Sequence, residues 1–136
     1  MLIAGFILAA VAAALHVYIF WMESVAWEGP AARKTFGIGT DEEARLTKPL
    51  AFNQGFYNLF LAIITLLGVV LAATGGADSG SATSVAGLTL IFTGVASMTA
   101  AALVLLLSSK EHRAAALKQG TLPALALIAT AVGVLA

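Results

Sequence analysis

Asn53, Gln54, Tyr57 and Asn58 crowd into six positions of the run Pro49-Leu-Ala-Phe-Asn-Gln-Gly-Phe-Tyr-Asn-Leu-Phe-Leu-Ala62, a segment otherwise apolar enough to cross a membrane. Polar side chains in hydrocarbon are costly unless something binds them, so the cluster must be held by other side chains or by a ligand. The preceding apolar run contributes His16 and Glu23, seven residues apart and therefore two turns along one helix face, with Phe20 between them and Trp27 extending the stripe. A carboxylate in such surroundings is sensitive to protons and cations, an imidazole can relay a proton, and amides both donate and accept hydrogen bonds to a small ligand. Gln119, at the foot of the last apolar run, can close the set.

The elements that must position these groups follow from composition. Of 136 residues, 60% are apolar and 10% charged, and the mean hydropathy is +0.98. Such a chain is an integral membrane protein rather than a soluble domain. Apolar runs at about residues 2–27, 50–74, 85–107 and 119–136 each approach the ~20 residues that a spanning helix needs. The expected fold is all-α: a four-helix transmembrane bundle forming a single membrane domain over 1–136. The first run is too long, and too poor in flanking positive charge, for a cleaved signal peptide, and reads as a retained helix.

All seven Lys and Arg lie in two connections, Arg33, Lys34, Arg45 and Lys48 after the first run and Lys110, Arg113 and Lys118 after the third. The positive-inside bias places these connections in the cytoplasm and both termini outside it. In the first of them, Gly29-Pro30 is suited to opening a short helix, and Thr40-Asp-Glu-Glu43 has the spacing of a capping box that starts another. Pro49 falls in the first turn of the second span or kinks it. The outer connection, Gly75 to Ser84, reads as a flexible link. His112, beside Glu111, reads as a solvated loop residue.

Helical rise sets the levels. Glu23 lies about 6 Å inside Trp27 and His16 about 16 Å, while Asn53 lies about 8 Å and Asn58 about 15 Å inside Lys48. Glu23 is thereby expected level with Asn53 and Gln54, and His16 with Tyr57 and Asn58. The second span also repeats in the fourth at an offset of 65: Gln54, Gly55, Ile63, Thr65, Gly68 and Val69 match Gln119, Gly120, Ile128, Thr130, Gly133 and Val134. Such a repeat would relate two parallel helical hairpins by an axis along the membrane normal.

Competing readings are simple to state. The amides can serve only as staples between helices, with the chain a structural or partner-binding protein. Alternatively, His16 and Glu23 can act as acid and base on a lipid-like substrate, although about 10 Å of helix separates them and no nucleophile constellation is visible. The absence of cysteine excludes disulfides and thiol chemistry. A single deep histidine among amides argues against a metal or any other cofactor. The expected partners are the lipid bilayer and a small molecule or ion, with no nucleic acid. Small-residue faces, Thr93-Ser97-Ala101 and Gly87-Gly94-Ala101 in the third run and Ala9 to Ala14 in the first, suit close packing within the bundle or in a homodimer.

At His16-Val-Tyr-Ile-Phe-Trp-Met-Glu23, Arg33-Lys-Thr-Phe-Gly37 and Ala51-Phe-Asn-Gln-Gly-Phe-Tyr-Asn58, with Gln119-Gly120 and Pro123 opening the last helix, the chain resembles the DUF1304 family of small bacterial four-span proteins. The resemblance implies four spans in a bacterial inner membrane and draws attention to the same polar residues. It implies no reaction.

Overall fold

The structure, a computed structural model, describes residues 1–75 and 80–136. The expected link from Gly75 to Ser84 therefore lies partly outside the described residues. Helix α1 (Leu2–Phe20) continues into a π-helical turn, Trp21–Val25; α2 (Pro30–Phe36) is short; α3 (Asp41–Thr74), α4 (Ala82–Ser108) and α5 (Arg113–Leu135) are long. Four stretches are long and apolar enough to cross a membrane: Leu2–Val25, α3, α4 and α5. The protein is an all-α four-helix bundle, in which α1 packs on α3 and α5, and α4 packs on the same two helices.

Local signals explain the ends. Gly29 caps α2 with Pro30 in its first turn, and Gly37 ends it at a φ of 72°, left-handed backbone that a residue with a side chain adopts only under strain. Thr40 Oγ1 accepts from Glu43 N (3.1 Å), and Glu43 Oε2 accepts from Gly39 N (2.9 Å), so the reciprocal cap forms one residue earlier than the usual box. The helix it opens is not a separate surface helix. It runs through Pro49 into the membrane as one 34-residue element, about 51 Å long against roughly 30 Å of hydrocarbon. Its projecting part is fastened to the first connection. Trp27 Nε1 donates to Ala44 O and Thr47 Oγ1, both at 3.1 Å, and Lys48 Nζ pairs with Glu28 Oε1 at 2.6 Å. That ammonium holds the exposed Glu28 carboxyl below its ordinary range. Trp27, expected to continue the His16–Glu23 stripe, instead leaves the helix and packs on Phe36 with ring centroids 5.3 Å apart.

Lipid tails are as apolar as leucine, so these helices gain little from hiding apolar surface from one another and depend on close packing. The buried residues are accordingly small: Ala9, Ala12, Ala13, Ala62 and Ala126 are fully buried, around Ile91, Val95 and Met98. Backbones meet at glycines. A methyl group added at Gly68 would come within 2.8 Å of Gly87 O on α4, and one at Gly133 within 2.5 Å of Leu2 N on α1. Gly68 and Gly133 are equivalent under the 65-residue offset. So are the fully buried Thr65 and Thr130, which lie against Gly94 and Gly5 respectively. Gly87 and Gly94 are thus used inside the bundle, whereas Thr93 and Ser97 are exposed.

Gly68→Val should lower the unfolding midpoint in detergent, the overpacking costing about 1–3 kcal/mol, while Val70→Ala, on a surface that is 56% exposed, should change it little. A Gly68→Val protein as stable as the parent would contradict this account of the α3–α4 contact.

Candidate functional site

Glu23 sits in the π-helical turn, where an extra residue per turn shifts the phase of α1 and turns both Glu23 and Ser24 towards α3. The approach is possible because α3 presents Gly55. A methyl group there would strike Ser24 Oγ and crowd Glu23 Cβ and Phe20 O. Two hydrogen bonds straddle this contact: Ser24 Oγ donates to Phe52 O (2.8 Å), and Asn58 Nδ2 donates to Glu23 Oε2 (2.9 Å) and also to Gln54 O (3.1 Å). Phe56 lies edge-on to Phe20, with centroids 5.1 Å apart, and closes the contact on its apolar side.

Glu23 is therefore level with Asn58, one turn deeper along α3 than the expected partners Asn53 and Gln54. Helical rise holds only as far as Val25; from Ala26 to Glu28 the chain is a turn and covers more depth per residue. Lys48 pairing with Glu28, and Asn58 with Glu23, mark the two ends of that stretch.

Beside this junction lies a cavity of about 560 Å³, bounded by the π turn, α3, α4 and α5. Five of the seven expected residues line it: Glu23, Gln54, Tyr57, Asn58 and Gln119. Leu61, Val104 and Leu105 supply apolar wall, and Phe36 lies at its basic end. An adjoining cavity of about 530 Å³ shares Glu23, Phe36, Gln54 and His112 and extends past Trp27 and Thr47, so Glu23 lies on a continuous route to the basic end of the bundle. No Lys or Arg lines either space. Pro123 stands well inside α5 rather than opening it, and its missing N–H leaves the Gln119 carbonyl without its usual helical donor at the cavity wall.

The other two expected residues are not brought to the cavity. Asn53 is exposed on α3 and lines neither space. His16 is fully buried in the bundle core, where Nδ1–H donates to Ala12 O (2.9 Å) and Nε2 has no hydrogen-bond partner among the described residues. Conversely, His112 is not a solvated loop residue. It is half-buried, Nε2 donates to Phe36 O (3.2 Å), Nδ1 pairs with Ser109 Oγ (2.7 Å), and the ring lines both spaces. Ser108 joins it on the cavity wall. Nothing local in the sequence marks His112, because its partner Phe36 is 76 residues away.

Chemically, the site offers one carboxylate, three amides, a phenol, a hydroxyl and an imidazole, suited to holding a cation or a neutral hydrogen-bonding molecule. Among the described residues, no three His, Asp or Glu side chains come together as a metal site would require. A double-mutant cycle of Glu23→Leu and Asn58→Leu should give a coupling of about 0.6 kcal/mol and no more than about 1.7, the mean and the maximum for interhelical hydrogen bonds in membranes. Asn53→Leu should be near neutral, and a loss equal to that of Asn58→Leu would contradict its placement outside the site.

No curated protein and no solved structure gives a significant match to the chain. The family described as "Protein of unknown function (DUF1304)" matches residues 10–131, which include every member of the Glu23–Asn58 cavity. The chain belongs to the DUF1304 family.

Proposed function

We propose that the protein binds, and moves across or within the membrane, a small cation or neutral polar molecule held between Glu23 and the amides of α3 and α5. One observation carries this reading. Of the polar side chains lining the cavity, Asn58 bonds across to Glu23, but Gln54, Tyr57 and Gln119 have no hydrogen bond from their side chains among the described residues. Amides that only staple helices would be paired with one another. Here three polar groups border a space large enough for a ligand and are left available to it. The absence of Lys and Arg from the wall, with a carboxylate present, selects against anions. His16 lies in the core, away from the cavity, and both ring nitrogens of His112 are engaged, by Phe36 O and Ser109 Oγ, which weighs against the acid–base pair that a lipid-processing enzyme would need.

The site lies towards the basic end of the bundle, which by the positive-inside bias faces the cytoplasm, with both termini outside and the chain in a bacterial inner membrane. Ligand would therefore enter from the cytoplasmic side, past Trp27, Phe36 and His112.

In detergent, a screen of inorganic cations and small cationic or neutral metabolites should find one that raises the unfolding midpoint of the parent protein, with a stabilisation of about 2.7 kcal/mol at a hundred times its Kd. Glu23→Gln should abolish the effect while the bundle stays assembled. For a cationic ligand, affinity should fall as pH is lowered and the carboxylate takes up a proton, and this dependence should vanish in Glu23→Gln. If no compound stabilises the parent, and Glu23→Gln and Asn58→Leu both melt far below it, the amides are staples and the binding function is withdrawn. The orientation has its own test. Cysteine at Thr83 should react with an impermeant thiol reagent in intact cells, and cysteine at Lys34 only after lysis; the reverse pattern would invert the topology.

A further inference from the structure

We propose that one anionic phospholipid, from the leaflet at the basic end, occupies a bent groove between α1 and α5, its head on Lys34 and Lys118 and an acyl chain between the two helices. The groove consists of two cavities that share Thr35, Phe36, Ala115 and Lys118, one of about 220 Å³ and one of about 380 Å³. The smaller is the apolar limb, walled by Leu15, Tyr18, Ile19 and Met22 of α1. These residues belong to a membrane-spanning stretch, so the surroundings that fill this limb are acyl chains rather than water.

The larger limb lies at the end of the helices and carries Lys34 and Lys118. The two salt bridges among the described residues engage Arg33 and Lys48, so neither groove lysine has an anionic partner. Two carboxylates line the same limb. Glu43 Oε2 is engaged by Gly39 N, and Glu111 is exposed, where water solvates it. His112, also on this limb, has its Nε2–H committed to Phe36 O.

The chemistry changes along the groove as it changes along a phospholipid. A free phosphate would fill only the limb that carries the lysines, and a zwitterionic lipid would bring its own cationic group against two lysines that no carboxylate among the described residues approaches within ion-pair distance. Basic pockets between helices on the cytoplasmic side of a membrane favour anionic head groups for this reason. The Glu23 cavity differs in having no Lys or Arg on its wall, although Phe36, His112, Ala115 and Gln119 border both it and the groove. It does not depend on the small-molecule function proposed above.

The test uses full-length protein in a neutral detergent, with phosphatidylglycerol and phosphatidylcholine of identical chains, and inorganic phosphate as a third probe. Phosphatidylglycerol should raise the unfolding midpoint and remain bound as a single molecule in native mass spectrometry; the other two should do neither. Lys34→Gln with Lys118→Gln should weaken phosphatidylglycerol binding about thirtyfold, taking about 1 kcal/mol per lysine. The control pair is Lys110→Gln with Arg113→Gln, two cations that line neither limb. Equal stabilisation by both lipids, stabilisation by phosphate alone, or equal loss from the two pairs of substitutions would overturn the proposal, the last by reducing the effect to bulk charge. The comparison of lipids on the parent protein stands even if a variant fails to fold.

Discussion

Where the turn Trp21–Val25 crosses α3, the two backbones meet over Gly55, and a single methyl group there would collide with Ser24 Oγ. Everything in the site follows from that approach. It brings Asn58 within hydrogen-bond reach of Glu23, it sets Ser24 against the Phe52 carbonyl, and it places both beside the space that α4 and α5 wall on the other side. In water such a contact would be supported by hiding apolar surface. In lipid that contribution is small, so shape complementarity and a few hydrogen bonds between helices must suffice. The protein meets this condition with alanine and glycine at most of its helix contacts and with the Glu23–Asn58 and Ser24–Phe52 hydrogen bonds where the wide turn crosses α3.

The π-helical turn has a second effect. In a regular α-helix the side chains from His16 to Glu23 would stay in phase, and both would face the same neighbour. One wide turn separates them: His16 enters the sealed core and Glu23 faces the cavity. A carboxylate in a membrane is tolerated where it borders a polar space and has a donor, and Glu23 has both. Wide turns of this kind recur at functional sites because they redirect one side chain without breaking the helix.

The membrane class and the four spans were legible because hydropathy over twenty residues is a strong, local quantity, and so were the caps at Gly29-Pro30 and Thr40. Levels between helices were legible only to within a turn. Counting from Trp27 assumes helix to that point, and no residue between Phe20 and Trp27 announces a wide turn or a helix end at Val25. The same blind spot put His16 and Asn53 at the level of the cavity without showing that they do not line it, since their faces depend on phase and on which neighbour packs beside them. Pro49 illustrates the opposite error. A proline is expected in the first turn of a span or at a kink, yet Pro49 stands two turns inside α3, whose projecting turns Trp27 and Glu28 fasten from outside. His112 was hidden by distance, as no local pattern joins it to Phe36.

The offset of 65 residues relates the places where backbones touch and one pair of cavity side chains, Gln54 and Gln119, but not the contact to the carboxylate. Gly68 and Thr65 have counterparts in Gly133 and Thr130, packed in the same way. Tyr57 and Asn58, by contrast, correspond to Leu122 and Pro123, which can neither donate to a carboxylate nor accept from a ligand. The packing is near-symmetric, but the carboxylate is one-sided: among the described residues the cavity is lined by one carboxylate, Glu23, in the half that carries the wide turn, while the other half adds Ser108, His112 and Gln119 to the wall. A ligand held by that carboxylate would therefore bind once per chain, and cooperativity would have to arise between copies.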